Sequence, residues 1–369
     1  MIEFPEQGPI ADAAAQAPGF DAHALAAAAR FASEAETSWP RDLSSGLNAD
    51  PKSNEPPPWN EVLGPTRDRG APNGLILHRG RCIARWGDTR RVDMTYSVAK
   101  SYLAILAGVA LREGLIPDLD ARVADSALDD GFANAQNRDI TWRHFLHQTS
   151  EWEGTLWDKP DLVDRNRFVG VGADNTRKGT HRDLEPPGSF FEYNDVRVNR
   201  FSLALLHVFR EPLADVLRRE VMEPIGASDT WEWLAYRNAQ VDIDGRRMPS
   251  VPGGAHWGGG IFISSEDHAR VGLMILAGGS WDGRRILPAD YVKALSTPSP
   301  VFPNYGFLWW LNTAKGLYAS APESSFFALG AGYNVIWVDP GLELVAVTRW
   351  IEQARIDEWI GRVMAALET

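Results

Sequence analysis

The stretch Thr95-Tyr96-Ser97-Val98-Ala99-Lys100-Ser101-Tyr102-Leu103-Ala104-Ile105-Leu106-Ala107-Gly108-Val109-Ala110-Leu111 decides how the rest of the 369-residue chain is read. It is apolar on nearly every face and is followed by Gly114 and Pro117, so it predicts a helix buried in a large core. Its polar exceptions lie at the start. Ser97, Lys100 and Ser101 share one face, because residues three and four apart are neighbours on a helix surface. An ammonium buried without a partner is costly and tends to shed its proton. A desolvated lysine beside a serine hydroxyl is therefore a base beside its nucleophile, and the helix N-terminus adds positive potential and free N–H groups for an oxyanion. The plain alternative makes Ser97 a helix cap and lets Lys100 carry its charge to the surface. Against it stand the lack of an obvious solvent face and the fact that Ser-x-x-Lys occurs once in the chain.

Bulk properties narrow the choices. A net charge of −12 argues against nucleic acid or an anionic membrane as partner, since either needs a basic face. The single cysteine, Cys82, cannot form an internal disulfide and reads as a small buried apolar residue in a strand. Met1-Ile2-Glu3-Phe4-Pro5-Glu6-Gln7 has no basic region followed by an apolar run, and no segment has the length of a membrane-spanning helix. The expectation is a cytoplasmic protein without a signal peptide. The eight histidines show no His-x-x-x-His or His-Glu-x-x-His spacing on a helix, so a metal site is not indicated, and no feature demands an organic cofactor. No feature fixes the oligomeric state.

In chain order, Phe20 to Ala32 predicts an alanine-rich helix capped by Asp21. Trp39 to Pro72 is rich in Pro, Asn, Asp and Ser and predicts a long surface loop, assigned to 37–71. Gly74 to His78 and Cys82 to Trp86 flank Arg79-Gly80-Arg81 and predict a hairpin, and the Ser97 helix follows. A mainly helical region then runs to about Ser250, including a helix near Arg197 to Phe209. Gly258-Gly259-Gly260-Ile261-Phe262-Ile263 leads into a short strand, and Ser265-Glu266-Asp267-His268 caps a helix from Ala269 to Leu276. Asn334 to Val338 and Leu342 to Val347 surround the turn Asp339-Pro340-Gly341, and an amphipathic helix from Ile356 to Leu367 closes the chain. The assembly expected is an α+β fold, an α/β sandwich whose antiparallel sheet of about five strands is flanked by the N- and C-terminal helices. Residues 1–93 and 251–369 form this sheet domain, and 94–250 are inserted as a helical domain carrying the nucleophile helix.

This order of elements resembles the serine β-lactamase and penicillin-binding-protein superfamily, with its β-lactamase/transpeptidase-like fold. Within it the chain is similar to the branch of esterases, class C β-lactamases and 6-aminohexanoate-oligomer hydrolases. Ser97-Val98-Ala99-Lys100 matches the nucleophile motif of that superfamily. Ile140 to Ser150 is similar to its "Ile-Thr, then Leu-Leu-x-His-Thr-Ser-Gly" segment, with Glu151 where Gly is usual. Phe191-Glu192-Tyr193-Asn194-Asp195 resembles the Tyr-x-Asn motif, with Asp195 replacing the asparagine. Tyr305 to Trp310 resembles an aromatic landmark before the last motif, and Ala328-Leu329-Gly330 stands where Lys-Thr-Gly is found in β-lactamases.

The resemblance implies a hydrolase whose catalytic residues are Ser97, Lys100 and Tyr193, working through an acyl-enzyme on small esters or amides, with the backbone N–H groups of Ser97 and Ala331 holding the oxyanion and Gly330 admitting the substrate. Carboxylesterase is the first reading. Amidase action on ω-amino-acid oligomers or short peptides, weak β-lactamase action, and a non-catalytic scaffold are the alternatives. A missing lysine at 328 removes the group that holds a β-lactam carboxylate. Asp195 either pairs with Lys100, the favoured reading because buried charges find charged neighbours, or binds a substrate amine. Taken alone, a residue such as Tyr193 is more often a core tyrosine with a satisfied hydroxyl than a catalyst, and its case rests on its order after Ser97. Trp152, Trp157, Trp257, Trp309 and Trp310 are candidates for a substrate-binding wall, although large core residues are what tryptophans usually are. His256-Trp257-Gly258-Gly259-Gly260 looks like a lipase oxyanion loop, but no Gly-x-Ser-x-Gly elbow accompanies it, so it is read as glycines leading into a strand.

Overall fold

A computed structural model describes residues 2–12, 18–46, 55–169 and 173–368. Strands are apolar here on both faces, because helices cover the sheet from both sides. Helix α1 (Ala22–Glu34) is followed by strands β1 (Asn73–His78) and β2 (Arg81–Trp86), then by helices α2 (Val98–Arg112), α3 (Asp195–Phe209) and α4 (Ser265–Leu276). Strands β3 (Trp310–Leu311), β4 (Phe326–Gly330), β5 (Asn334–Asp339) and β6 (Leu344–Arg349) come next, and helix α5 (Ile356–Ala365) ends the chain. The main sheet is antiparallel, in the order β3-β4-β5-β6-β1-β2.

Side chains along each strand alternate between two cores, as a period of two requires. Leu75, Leu77, Ile336, Val338, Val345 and Val347 join the core under α2 and α4, whereas Ile76, Val335, Trp337, Leu344 and Ala346 join the core under α1 and α5. At Gly272 of α4 a Cβ would stand 2.7 Å from Val345 Cγ1, so this helix lies nearly in contact with the sheet. Asp21 caps α1 through its side chain, accepting from the backbone N–H groups of His23 and Ala24.

Several expectations are corrected. The sheet has six strands, because the aromatic landmark contributes β3. The hairpin turn is Arg79-Gly80 alone, both at positive φ (52° and 87°), the geometry that two-residue hairpins need. Helix α4 starts at Ser265 and is capped by Ser264, whose hydroxyl accepts from Asp267 N–H. Gly260–Ile263 is not in the main sheet: it pairs with Asp93–Met94 and Glu232–Leu234 in a separate three-stranded sheet. The region expected to be mainly helical also holds the hairpin Gln240–Ile243 and Arg246–Pro249, turned by Asp244-Gly245, both again at positive φ.

The segment assigned to a surface loop is only partly one. Residues 47–54 lie outside the described part, but Glu55, Leu63 and Arg69 are buried, and Leu63 N–H donates to the Trp257 carbonyl. Residues 55–69 form a strap over the site described below. Cys82 is buried as expected, and burial pushes its thiol up to about 11.

Trp359 of α5 is fully buried against Trp86 and Trp337, with ring centroids 6.0 and 6.1 Å away. Trp359→Ala is expected to cost about 3–5 kcal/mol, read as a lower urea midpoint at unchanged slope. A cost below about 1 kcal/mol would show that the terminal helix does not seal this face of the sheet.

Candidate active site

Ser97 occupies the N-cap position of α2, yet its hydroxyl makes no capping bond. It accepts instead from Lys100 Nζ at 3.0 Å. The residue before it, Tyr96, is held in the left-handed region (φ 49°), with its ring buried against Trp39 and Trp350 at 5.3 and 6.4 Å. A bulky residue adopts that conformation only when its surroundings impose it. Lys100 is 1% exposed and does not reach the surface, so the plain alternative for this pair fails.

The ammonium finds its partner in Asp195, the first residue of α3, with which it forms a buried ion pair through Oδ1. The other oxygen of Asp195 accepts from Arg167 Nη1 at 2.6 Å and faces His256 Nδ1 at 3.2 Å. His256 Nε2 lies 2.8 Å from Glu55 Oε1, and Glu55 also accepts from Trp257 Nε1 at 3.2 Å and pairs with Lys178. Asp164 closes the group: it takes Asp195 N–H at 2.9 Å, Arg167 at 3.3 Å and Lys178 at 3.4 Å. Cations and carboxylates alternate from Ser97 to the strap.

Opposed forces set the charges. Burial alone would lower Lys100, but Asp195 and Tyr193 beside it outweigh burial and hold it above the usual lysine value. Burial would raise Asp195, yet Lys100 and Arg167, then His256, pull it well below the usual carboxylate range. His256 is pushed up to about 9: burial opposes this, and Glu55 and Asp195 prevail. With a carboxylate at each ring nitrogen, His256 is an imidazolium at neutral pH.

Tyr193 is buried beside this group, its ring 4.8 Å from Lys100 Nζ and 5.4 Å from Arg167 Cζ. Its hydroxyl makes no hydrogen bond to any described residue. Trp310 stacks on the Tyr193 ring at 5.7 Å and is partly exposed. Trp309, by contrast, is fully buried against Phe326, and Trp152 is buried with its Nε1 donating to the Gly131 carbonyl. These two candidates for the substrate wall are core residues, whereas Trp310 lies against Tyr193. Trp257 stands behind His256, with ring centroids 4.4 Å apart.

Gly330 ends β4 against the nucleophile turn, where a Cβ would fall 2.2 Å from the Thr95 carbonyl oxygen and 3.3 Å from Ser97 N. Ala331 follows it in the turn into β5. Both oxygens of Asp195 are taken by protein cations, which is the pairing reading rather than the amine-binding one.

Glu55, Arg167, Gly254 and His256 were not found as site residues by sequence reasoning. A Cβ on Gly254 would lie 2.8 Å from Lys100 Nζ, 3.2 Å from Asp195 Oδ1 and 3.4 Å from Ser97 Oγ. Nothing in the sequence marked Gly254, and the neighbouring stretch His256 to Gly260 was read as glycines leading into a strand. Glu55, Asp164 and His256 place ligand atoms within 4.8 Å of one another, a set able to hold a cation. The Lys178 ammonium already lies against two of the three.

A second buried network backs the first. Glu151, at positive φ (48°), receives Arg182 through two bonds of 2.6 Å and Arg197 Nη1 at 2.6 Å. Glu192 joins through Arg182 at 2.8 Å and Arg197 at 3.1 Å, and Asp161 through Arg197 at 3.3 Å. A carboxylate where glycine is usual is thus the hub of an arginine cluster.

Two outcomes are expected. Because its folded value lies above the ordinary 6.5, His256 stabilises the fold fully below about pH 6.5 and loses that contribution as pH rises through about 9. The stability difference between wild type and His256→Gln, from urea denaturation, should shrink over that window; a constant difference would show that the imidazolium is not held. Gly254→Ala should leave the thermal midpoint within a few degrees while slowing reaction of Ser97 with a fluorophosphonate about 10²-fold, through displacement of Lys100. Unchanged labelling would show that this backbone does not border the nucleophile.

Residues 83–349 match the family described as Beta-lactamase. No curated protein matches the sequence. Among solved structures, the chain is similar to EstCE1, a hydrolase with promiscuous acyltransferase activity, at 15% identity and a TM-score of 0.58, covering 94% of this chain and 99% of that one. It is also similar to a penicillin-binding-protein homologue from Caulobacter crescentus, at 16% identity and a TM-score of 0.56 over 84% and 93% of the two chains. A β-lactamase from Mycobacterium bovis matches at 20% identity and a TM-score of 0.53 over 80% and 92%. Such identities speak for the fold, and the match over most of the length speaks for descent: this chain belongs to the β-lactamase family, whose members are serine hydrolases.

Proposed function

We propose that the chain is a serine hydrolase that cleaves small carboxylic esters through an acyl-enzyme on Ser97. The observation that carries this reading is a serine hydroxyl at a helix N-terminus that forgoes its capping bond and is held by a fully buried lysine.

Ser97 Oγ attacks the carbonyl carbon, and the oxyanion is received by the backbone N–H groups of Ser97 and Ala331. The close approach of Gly330 to the nucleophile turn supports that placement. Lys100, kept as an ammonium by Asp195, stabilises negative charge on Oγ and so does not itself take the serine proton. Tyr193 is the group left to move it: its oxygen accepts the proton of Ser97 while its own passes to the departing alkoxide. Water then attacks the acyl carbonyl, and the same exchange run backwards returns a proton to Ser97. No residue at 328 supplies the lysine that a β-lactam carboxylate uses in related enzymes, which favours esters over β-lactams.

The test is hydrolysis of p-nitrophenyl esters of rising chain length, a chromogenic cephalosporin and an aminohexanoate dimer. Short esters are expected to be cleaved best, Ser97→Ala to lose at least about 10³-fold in kcat/KM, and a fluorophosphonate to label Ser97 alone. Equal activity of wild type and Ser97→Ala would refute the nucleophile, and a folded wild type inert to both substrates and probe would favour a non-catalytic scaffold.

A further inference from the structure

Arg167 has work left to do. Its hydrogen bonding is carried by Nη1 alone, to Asp195 at 2.6 Å, with Asp164 at 3.3 Å as its second ion-pair partner through the same nitrogen. Nε and Nη2 make no hydrogen bond to any described residue. Neither is among the buried polar atoms lacking a partner, so both are accessible, and the side chain is 14% exposed where Asp164 and Asp195 are 0% and 3%. The guanidinium lies beside the Tyr193 ring, its Cζ 5.4 Å from the ring centroid, on the same carboxylate that holds Lys100.

We infer that the open edge of Arg167 receives a carboxylate of the substrate, so that the preferred ester carries a second, ionised acid group at the end of a short hydrocarbon chain. The inference rests on reading Ser97 as the nucleophile. Nε and Nη2 form the side-on fork of a guanidinium, whose two parallel N–H donors fit the two oxygens of a carboxylate. Asp195 and Asp164 fix the opposite nitrogen and so hold the fork in place without occupying it. Two cations, Lys100 and Arg167, bear on the single carboxylate of Asp195 at the nucleophile end of the group. An amine-bearing substrate meets the reverse, since Asp195 is fully engaged.

Three esters of equal chain length decide the matter: the p-nitrophenyl monoester of glutaric acid, p-nitrophenyl pentanoate and p-nitrophenyl 5-aminopentanoate. At pH 7 the glutarate ester is expected to exceed the pentanoate in kcat/KM by about tenfold or more, the scale of a charge-assisted bidentate bond. The ratio should fall to about one in Arg167→Gln and to an intermediate value in Arg167→Lys, which keeps the charge but not the fork. Arg167→Lys decides alone if Arg167→Gln does not fold. A wild type that favours pentanoate or aminopentanoate, or a ratio unchanged in the variants, overturns the inference. Calorimetry with free glutarate separates it from the hydrolase reading, because Ser97→Ala should bind glutarate and Ser97→Ala with Arg167→Gln should not. Arg167-dependent binding without cleavage of any ester would leave the carboxylate site standing and remove the hydrolase. Cleavage without carboxylate preference, or no glutarate binding by Ser97→Ala, would do the opposite.

Discussion

The ion pair between Lys100 and Asp195 is the constraint from which the site is built. Helix α2 has no solvent face on which an ammonium could rest, so its charge must be met inside the protein. Asp195 meets it, but a carboxylate taken from water has more than one oxygen to satisfy. Arg167 and His256 take the second, and each brings a new charge that needs Asp164 or Glu55 in turn. Lys178 then balances those two acids. Each step follows from the cost of an unpaired buried charge, and the result joins the segments around residues 55, 100, 164, 178, 195 and 256.

Tyr193 is placed by its neighbours in sequence more than by its own contacts. Glu192 is drawn to one side by Arg182 and Arg197, and Asp195 to the other by Lys100 and Arg167. Between them, Asn194 N–H donates to Gln148 Oε1 at 3.2 Å, Glu192 N–H donates to the Gln148 carbonyl at 3.0 Å, and the Asn194 side chain donates to the Asp161 carbonyl at 2.8 Å. The backbone on both sides of the tyrosine is thereby fixed, and its ring is left with its hydroxyl unspent. This accounts for both departures from the motifs of related enzymes. Glu151 serves as the anchor of the arginines that hold Glu192, and Asp195 as the counter-charge of Lys100.

What could be read from the chain was whatever repeats locally. Continuous apolar runs bounded by turn residues, from Leu75 to Leu77 and from Val335 to Val338, marked the strands, Asp21 marked a cap, and the apolar run after Ser101 marked the central helix. The Ser97, Lys100 and Tyr193 set was reached partly by spacing on a helix and partly by resemblance to known motifs. Glu55, Arg167 and His256 had no such signal, because the partners of each lie far away in sequence and a charge carries no period. The same holds for Trp309 and Trp310. Adjacent tryptophans are indistinguishable until pairing of β3 with β4 fixes which one faces the core.

A buried lysine beside a serine suggests at first a neutral amine that acts as base. Desolvation pushes Lys100 strongly in that direction, but Asp195 and Tyr193 together outweigh it, and the group ends above its ordinary value. The fold has therefore used burial to strengthen an ion pair rather than to free a base. A fixed cation next to Ser97 serves a reaction in which negative charge develops on Oγ, and it needs no rearrangement to do so. Proton transfer is then left to a group whose hydrogen bonds are uncommitted. Among the polar side chains around Ser97, Lys100, Asp195 and His256 are each held by partners, and the hydroxyl of Tyr193 is not. In the reaction we propose, the division of labour follows from this pairing: the most strongly bound groups set the field, and the least bound one moves the proton.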